Sequence, residues 1–196
     1  HRAREATMDA AKKAGLNVKY IIDEPTAAAL YYAYNQKDNL SGYYAVYDLG
    51  GGTFDVSIIK ISSGQNIDVI ASNGVSKLGG DDFDKKLFEL VSKKYKEETG
   101  NDLDEQDYTY NEAEEDKKSL STNKRTIAGG GAGINGNVIQ LKQEEFESEI
   151  SALITQTEML CETTLQEAKL QPKDIKSVFL AGGSTRIPCV LKSVER

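Results

Sequence analysis

A mixed α/β fold follows from three patterns in the sequence. Residues 43–61, YYAVYDLGGGTFDVSIIKI, place β-branched and aromatic residues on either side of three glycines, as a half-buried hairpin would. Helix-forming and strand-forming runs precede it in the order helix, strand, helix. Long charged helical patterns follow it, interrupted by a second glycine cluster, and set residues 79–155 apart as an inserted α+β subdomain.

Taken in order, residues 2–14 are rich in strong helix formers, and Gly15 stands where a left-handed residue would end the helix. Residues 16–23, LNVKYIID, read as a strand that Glu24-Pro25 stops, with Thr26 as N-cap of a helix through AAALYYAY. Tyr31, Tyr32 and Tyr34 read as packing and surface residues. After the hairpin, the turn SSGQN leads to a third strand over 67–72, so three strands form the edge of a mixed sheet. Asp81 or Asp82 caps a helix to Gly100, with Phe83, Leu87, Leu90, Val91 and Tyr95 on one face. A short charged helix is expected over 112–120, and two strand-like pieces within 126–141 around AGGGAGINGN, read as a flexible hairpin tip. One helix is expected over 143–170, with Lys142 where a capping Ser or Thr would normally stand; Gln171-Pro172 ends it. SVFLA, residues 177–181, is a strand feeding GGSTRIP and a last helix.

Bulk properties limit the function. With 196 residues, 39% of them hydrophobic, the chain can bury a substantial core. A net charge of −7 argues against nucleic acid and anionic membrane as partners, and no apolar run reaches the roughly 20 residues that span a bilayer. His1 falls inside a helical pattern with no initiating Met or signal-peptide pattern, as in a chain cut from something longer. Cys161 and Cys189 show no metal-binding spacing and read as two buried reduced thiols, which points to a reducing compartment.

The chemistry concentrates at the first glycine cluster. Gly50, Gly51 and Gly52 are expected to supply positive φ and a bend that a ligand can approach without meeting a Cβ. Successive N–H groups exposed there suit phosphate oxygens. Asp48, Thr53 and Asp55 flank the bend; carboxylates beside a phosphate need a divalent cation between them, and hard oxygen ligands suit Mg²⁺. Two readings of this stretch stand side by side: a cradle for a Mg-nucleotide, or a three-glycine hairpin with two solvated aspartates.

Four motifs then arrive in one order: IIDEPTAAAL, YDLGGGTFDVSII, LGGDDFD and VFLAGGSTRIPCV. Together they resemble the nucleotide-binding domain of the seventy-kilodalton heat-shock chaperones, the DnaK family, a branch of the actin-like (ribonuclease H-like) ATPase fold, over essentially the whole chain. The resemblance implies that residues 1–40 are the rear of a first lobe, 41–78 and 156–196 the base of the second lobe, and 79–155 its inserted upper subdomain. It implies ATP or ADP with Mg²⁺ as ligands. By the same resemblance Glu24 positions the hydrolytic water as a candidate base, Asp48 and Asp55 lie near that water, and Asp48 reaches Mg²⁺ through its water shell. Gly50, Gly51, Gly52 and Thr53 form a phosphate loop, and Gly79 and Gly80 belong to the nucleotide site. Glu114, Lys117 and Ser121 meet ribose and base. Gly182, Gly183 and Ser184 form the adenosine loop, with Arg186 stacked on adenine. Arg4 falls where the family carries an arginine of interdomain signalling.

The sequence also departs from the family pattern. Lys118 stands where many members have Arg and cannot stack a planar guanidinium on a base. Asp23 replaces the usual Asn before Glu24 and adds a charge beside it, and Asp81 replaces a common Glu. A first phosphate loop, its lysine and a peptide-binding domain lie outside these residues. The resemblance implies a chaperone ATPase that controls binding and release of unfolded polypeptide, with catalysis incomplete in this stretch alone. Its implied partners are a J-domain cochaperone, a nucleotide-exchange factor and client peptide, and its implied compartment is the cytoplasm. The alternatives are a nucleotide-binding chaperone regulator or exchange factor without turnover, and an actin-like filament ATPase.

Overall fold

The computed structural model describes residues 2–35, 40–62 and 66–196. Helix α1 (Arg2–Lys13) ends at Gly15, at φ 78°, as the sequence predicts. Residues 16–23 form no strand and no helix, contrary to the expectation. Leu16, Tyr20 and Ile22 are 62, 83 and 54% exposed, so the strand-like sequence has no ladder to join and no apolar face to rest on. Helix α2 (Glu24–Asn35) begins three residues earlier than expected, with Glu24 and Pro25 in its first turn and Thr26 inside it. A proline there loses no intrahelical bond and arrives with φ already helical.

Strands β1 (Gly42–Leu49), β2 (Thr53–Ile61) and β3 (Ile67–Ser76) form the expected antiparallel meander, and β6 (Ile175–Ala181) adds parallel to β1. The sheet order is β3-β2-β1-β6. Within the SSGQN turn the Ser62 N–H donates to the Asn66 carbonyl at 3.0 Å, and residues 63–65 lie outside the described ones. Alternation along β1 divides the core in two. Tyr44 and Val46 face α2, with Ala29, Ile59, Ile61 and Phe179, while Tyr47 and Leu49 face the larger core on the other side. On the α2 side Tyr32 stacks on Phe179 at 4.3 Å, whereas Tyr31 is exposed; the side chain of Tyr34 lies outside the described residues.

The larger core is covered by α3 (Gly80–Thr99), α4 (Tyr110–Thr122), the two-stranded β4 (Arg125–Ile127) and β5 (Gln140–Lys142), α5 (Gln143–Glu149), α6 (Ser151–Glu167) and α7 (Pro188–Val194). All five residues assigned from periodicity to the inner face of α3 are buried. The cap of α3 differs: Gly79 is the N-cap residue, and Asp82 works from the first turn by accepting the Gly79 N–H at 3.1 Å. Where one helix was expected over 143–170 there are two, divided at Ile150, which is fully buried with φ −92° and ψ −2°. The break lets α5 lie on α3 while α6 crosses the sheet. Lys142 is the N-cap residue of α5, and Glu145 supplies the missing cap by accepting the Lys142 N–H. The glycine-rich tip is a structural loop held by Asp116, whose carboxylate accepts from the Tyr108 hydroxyl at 2.9 Å and the Gly129 N–H at 3.0 Å.

Both cysteines are free thiols, half-buried rather than fully buried. Desolvation pushes Cys161 up to about 12 and Cys189 up to about 11, so both stay protonated and unreactive at neutral pH. Phe83 is fully covered at the centre of the larger core. Phe83→Ala should therefore lower the unfolding free energy by about 3–5 kcal/mol, measured by urea denaturation.

Candidate functional site

The site begins with the register of the hairpin. Asp48 pairs across the ladder with Asp55 and Leu49 with Phe54, which leaves Gly50, Gly51 and Gly52 to make the bend. None of the three has positive φ, contrary to the expectation. The bend is instead fixed through its carbonyls. Gly80 N–H donates to the Gly50 carbonyl at 2.9 Å, Asp81 N–H to Gly51 at 2.7 Å and Lys77 N–H to Gly52 at 3.0 Å. In a trans peptide C=O and N–H point in opposite directions. Capture of the three carbonyls thus turns the N–H groups of Gly51, Gly52 and Thr53 the other way, and among the described residues those of Gly51 and Gly52 meet no protein acceptor. The start of α3 can come this close because residue 79 is glycine: a Cβ there would lie 2.4 Å from the Gly51 carbonyl oxygen.

Three carboxylates gather on one side of the bend. Glu24 opens α2, Asp48 ends β1 and Asp55 lies on β2. Desolvation, reinforced by a hydrogen bond to Glu24 and by the charges of Glu24 and Asp55, pushes Asp48 up to about 6. Asp55 is raised by desolvation and by Glu24, against a hydrogen bond from Thr53. Gly74 on β3 stands opposite Asp55, and a Cβ there would fall 2.2 Å from Asp55 Oδ1. It is a site residue the sequence reading missed; the Asn-Gly pair inside a strand pattern was the available signal. The added charge of Asp23 is neutralised, since Arg4 donates to its carboxylate. Arg4 therefore stands at the edge of the carboxylate group through Asp23 and makes no contact with the pocket described next.

On the other side of the bend is a cavity of about 480 Å³. Glu114, Lys117, Lys118 and Ser121 of α4 form one wall, and Gly183, Ser184 and Arg186, in the 3₁₀ turn after β6, form the other. Gly51 and Gly80 lie between them, which brings nine of the sequence-predicted residues to one cavity. Gly79 and Gly182 stand behind this lining, Gly182 at φ 84°. Ser184 Oγ donates to the Gly50 carbonyl at 3.0 Å and so ties the segment after β6 to the bend. Lys118 is exposed and pairs with Glu114 and Glu115 at 3.1 and 2.7 Å. Arg186 is exposed, and among the described residues its guanidinium has no ion-pair partner. Lys117 is buried against Asp84, another residue the sequence reading passed over. A larger cavity of about 570 Å³ lies between α6, α7 and the sheet, but none of the predicted site residues lines it.

The donor chemistry fits a hydrated divalent cation. Among the described residues no three His, Cys, Asp or Glu side chains converge as a direct ligand set. The raised Asp48, with Glu24 and Asp55 beside it, is an uncompensated acidic group that a cation held through water would relieve.

Comparison with known proteins settles the relationship. The family model described as Hsp70 protein matches residues 1–196. The chain belongs to the Hsp70 family. Among curated Hsp70 relatives, it is 44% identical over 191 residues to a chaperone protein HscA homolog of Histophilus somni (strain 129Pt), covering 97% of this chain and 30% of the relative. It is 40% identical over 202 residues to a mitochondrial heat shock 70 kDa protein of Pisum sativum, covering 98% of this chain and 29% of the relative. The chain thus spans about a third of the length of these relatives. The mixed sheet flanked by helices is this family's actin-like ATPase fold. Among the described residues no helix is long and apolar enough to cross a membrane.

The raised Asp48 carboxyl has a signed consequence for stability. The folded chain holds this proton up to about pH 6, whereas the unfolded chain releases it near its ordinary value of 3.8. The group's stabilisation is fully present below about pH 4 and is lost as pH rises through about 6. Asp48→Asn should flatten that part of the curve, read as urea midpoints from pH 3.5 to 7.5.

Proposed function

We propose that this chain forms the phosphate and adenosine side of the nucleotide site of an Hsp70-family chaperone ATPase. The observation that carries the reading is the glycine bend: its carbonyls are all engaged, the N–H groups of Gly51 and Gly52 face outward, and it stands between a carboxylate group and a cavity of nucleoside size. The N–H groups of Gly51 and Gly52, with the Thr53 hydroxyl, receive phosphate oxygens. Glu114, Lys117, Lys118 and Ser121 hold ribose and base from one side, and Arg186 stacks on the base from the other.

Magnesium, held through water by Asp48 with Asp55 and Glu24 nearby, would neutralise phosphate charge. Glu24 accepts a hydrogen bond from protonated Asp48; once Asp48 gives up that proton above about pH 6, Glu24 is free to orient and deprotonate a water. Residues 79–155 act as an upper subdomain over the base formed by 41–78 and 156–196, with 1–40 reaching toward a first lobe. Arg4, through Asp23, borders the carboxylate group, which is where a signal from the nucleotide to another domain would start. ATP hydrolysis in the whole protein controls the grip on unfolded polypeptide, with a J-domain cochaperone and a nucleotide-exchange factor as partners. The free, protonated thiols accord with a reducing compartment such as the cytoplasm.

Calorimetric titration with Mg-ADP tests the binding role. Saturable binding is expected, and Arg186→Ala should weaken it about tenfold; an unchanged affinity would remove Arg186 from the base. For the chemistry, Glu24→Gln should lower single-turnover ATP hydrolysis about 10²-fold, and an unaltered rate would exclude Glu24 as base.

A further inference from the structure

The wall between the glycine bend and the cavity contains a charged pair with no role so far. Lys117 Nζ lies 2.7 Å from Asp84 Oδ1, with the two side chains 10 and 11% exposed. The same ammonium donates to the Gly80 carbonyl at 3.1 Å. Asp84 lies one turn along α3 from Gly80, so carboxylate and carbonyl present themselves together to α4. A lysine ammonium has three donors. The Gly80 carbonyl takes one of them, the Asp84 carboxylate holds the ammonium as an ion pair, and Lys117 also lines the cavity, which leaves a donor for a ligand. Of the neighbouring acids, Glu114 pairs with Lys118, and the Asp81 carboxylate lies against Gly51 and Gly52 at the cavity's edge.

We infer that Asp84 is a positioning residue for nucleoside recognition: with the Gly80 carbonyl it fixes the Lys117 ammonium so that one N–H faces the hydroxyls of a sugar. The inference rests on the nucleotide reading above and specifies how this wall distinguishes its ligand. A lysine alone would attract phosphate as a point charge. Paired with Asp84 it carries no net charge, and its remaining donor favours a neutral acceptor such as a ribose hydroxyl over an anion. Fixing the ammonium before the ligand arrives also lowers the entropy lost on binding. The pair adds a mechanical link, because the same Gly80 whose carbonyl accepts from Lys117 donates its N–H to Gly50. Sugar wall and phosphate bend are therefore fastened to one turn of one helix.

The test compares Mg-ADP with Mg-2′,3′-dideoxy-ADP by calorimetry on the full chain and on Asp84→Asn. The unsubstituted protein should prefer ADP about tenfold, the value of one charge-assisted hydrogen bond. Asp84→Asn should lose about tenfold for ADP and less than twofold for the dideoxy analogue, bringing the ratio close to one. Equal weakening of both nucleotides, the mark of a merely structural role, would overturn the inference, as would an unchanged ratio. Asp84→Asn leaves a buried ammonium without its counter-charge, which can prevent folding. Asp84→Glu keeps the charge and shifts the ammonium; a several-fold fall in the ratio supports positioning, and an unchanged ratio overturns it. If the unsubstituted protein binds neither nucleotide, the nucleotide reading and the role of Asp84 fall together, whereas binding of both with the preference intact in the variants removes Asp84 alone.

Discussion

The capture of the bend at residues 50–52 by the start of α3 is the constraint on which the site depends. Hydrogen bonds from the N–H groups of Gly80 and Asp81 satisfy carbonyls that would otherwise face the ligand. They also use N–H groups that a helix start leaves unpaired. One set of contacts therefore serves both elements, and its by-product is a row of outward N–H groups on the opposite side of the bend. Ser184 adds a third element by donating to the Gly50 carbonyl. The hairpin, α3 and the segment after β6 thus converge on three residues, and a displacement of any one moves the others.

Packing explains why this convergence is rigid. The two cores lie on opposite faces of one sheet, so β1 is held from both sides and Asp48 at its end has little freedom. The division of the helical run at Ile150 serves the same purpose. A straight helix over 143–170 could not follow both α3 and the sheet, whereas a fully buried isoleucine at the break gives each half its own direction. From α6, Thr157 accepts from the Tyr47 hydroxyl at 2.8 Å, and Glu167 accepts from Asn73 at 2.8 Å. These contacts pin β1, which leads into the bend, and β3 at the sheet's edge.

What was legible in the sequence follows from what is local. The hairpin, the inner face of α3 and the glycine stop at Gly100 each depend on residues within a few positions, and each is found, whereas α6 stops at Glu167, before a left-handed Lys169 (φ 57°), rather than at Gln171-Pro172. The motif residues that meet at the cavity were legible through resemblance, since no local rule brings α4 to Gly183. The misses share a different cause. The LNVKYIID run has strand propensity but finds no ladder. The φ of the bend glycines was misjudged because the bond network that fixes them comes from α3, thirty residues on. Asp84 went unnoticed because its burial is set by Lys117 on a different helix. Gly74 went unnoticed because its need arises across a strand from Asp55.

The carboxylate group bears on the order in which ligands can arrive. Asp48 is raised because two further carboxylates stand near it in a partly desolvated place, and a shared proton is the cheapest relief the protein has on its own. A cation that enters must replace that proton, so below about pH 6 its binding is coupled to proton release and weakened by acid. A bare phosphate entering first would add negative charge to the same region and raise the carboxyls further. On the proposed nucleotide reading, metal and polyphosphate would favour each other's binding, because each would remove the electrostatic obstacle to the other. The N–H groups of Gly51 and Gly52 carry no net charge and would hold phosphate oxygens without competing with a cation, so the acidic half and the amide half would act on one chelate from two sides.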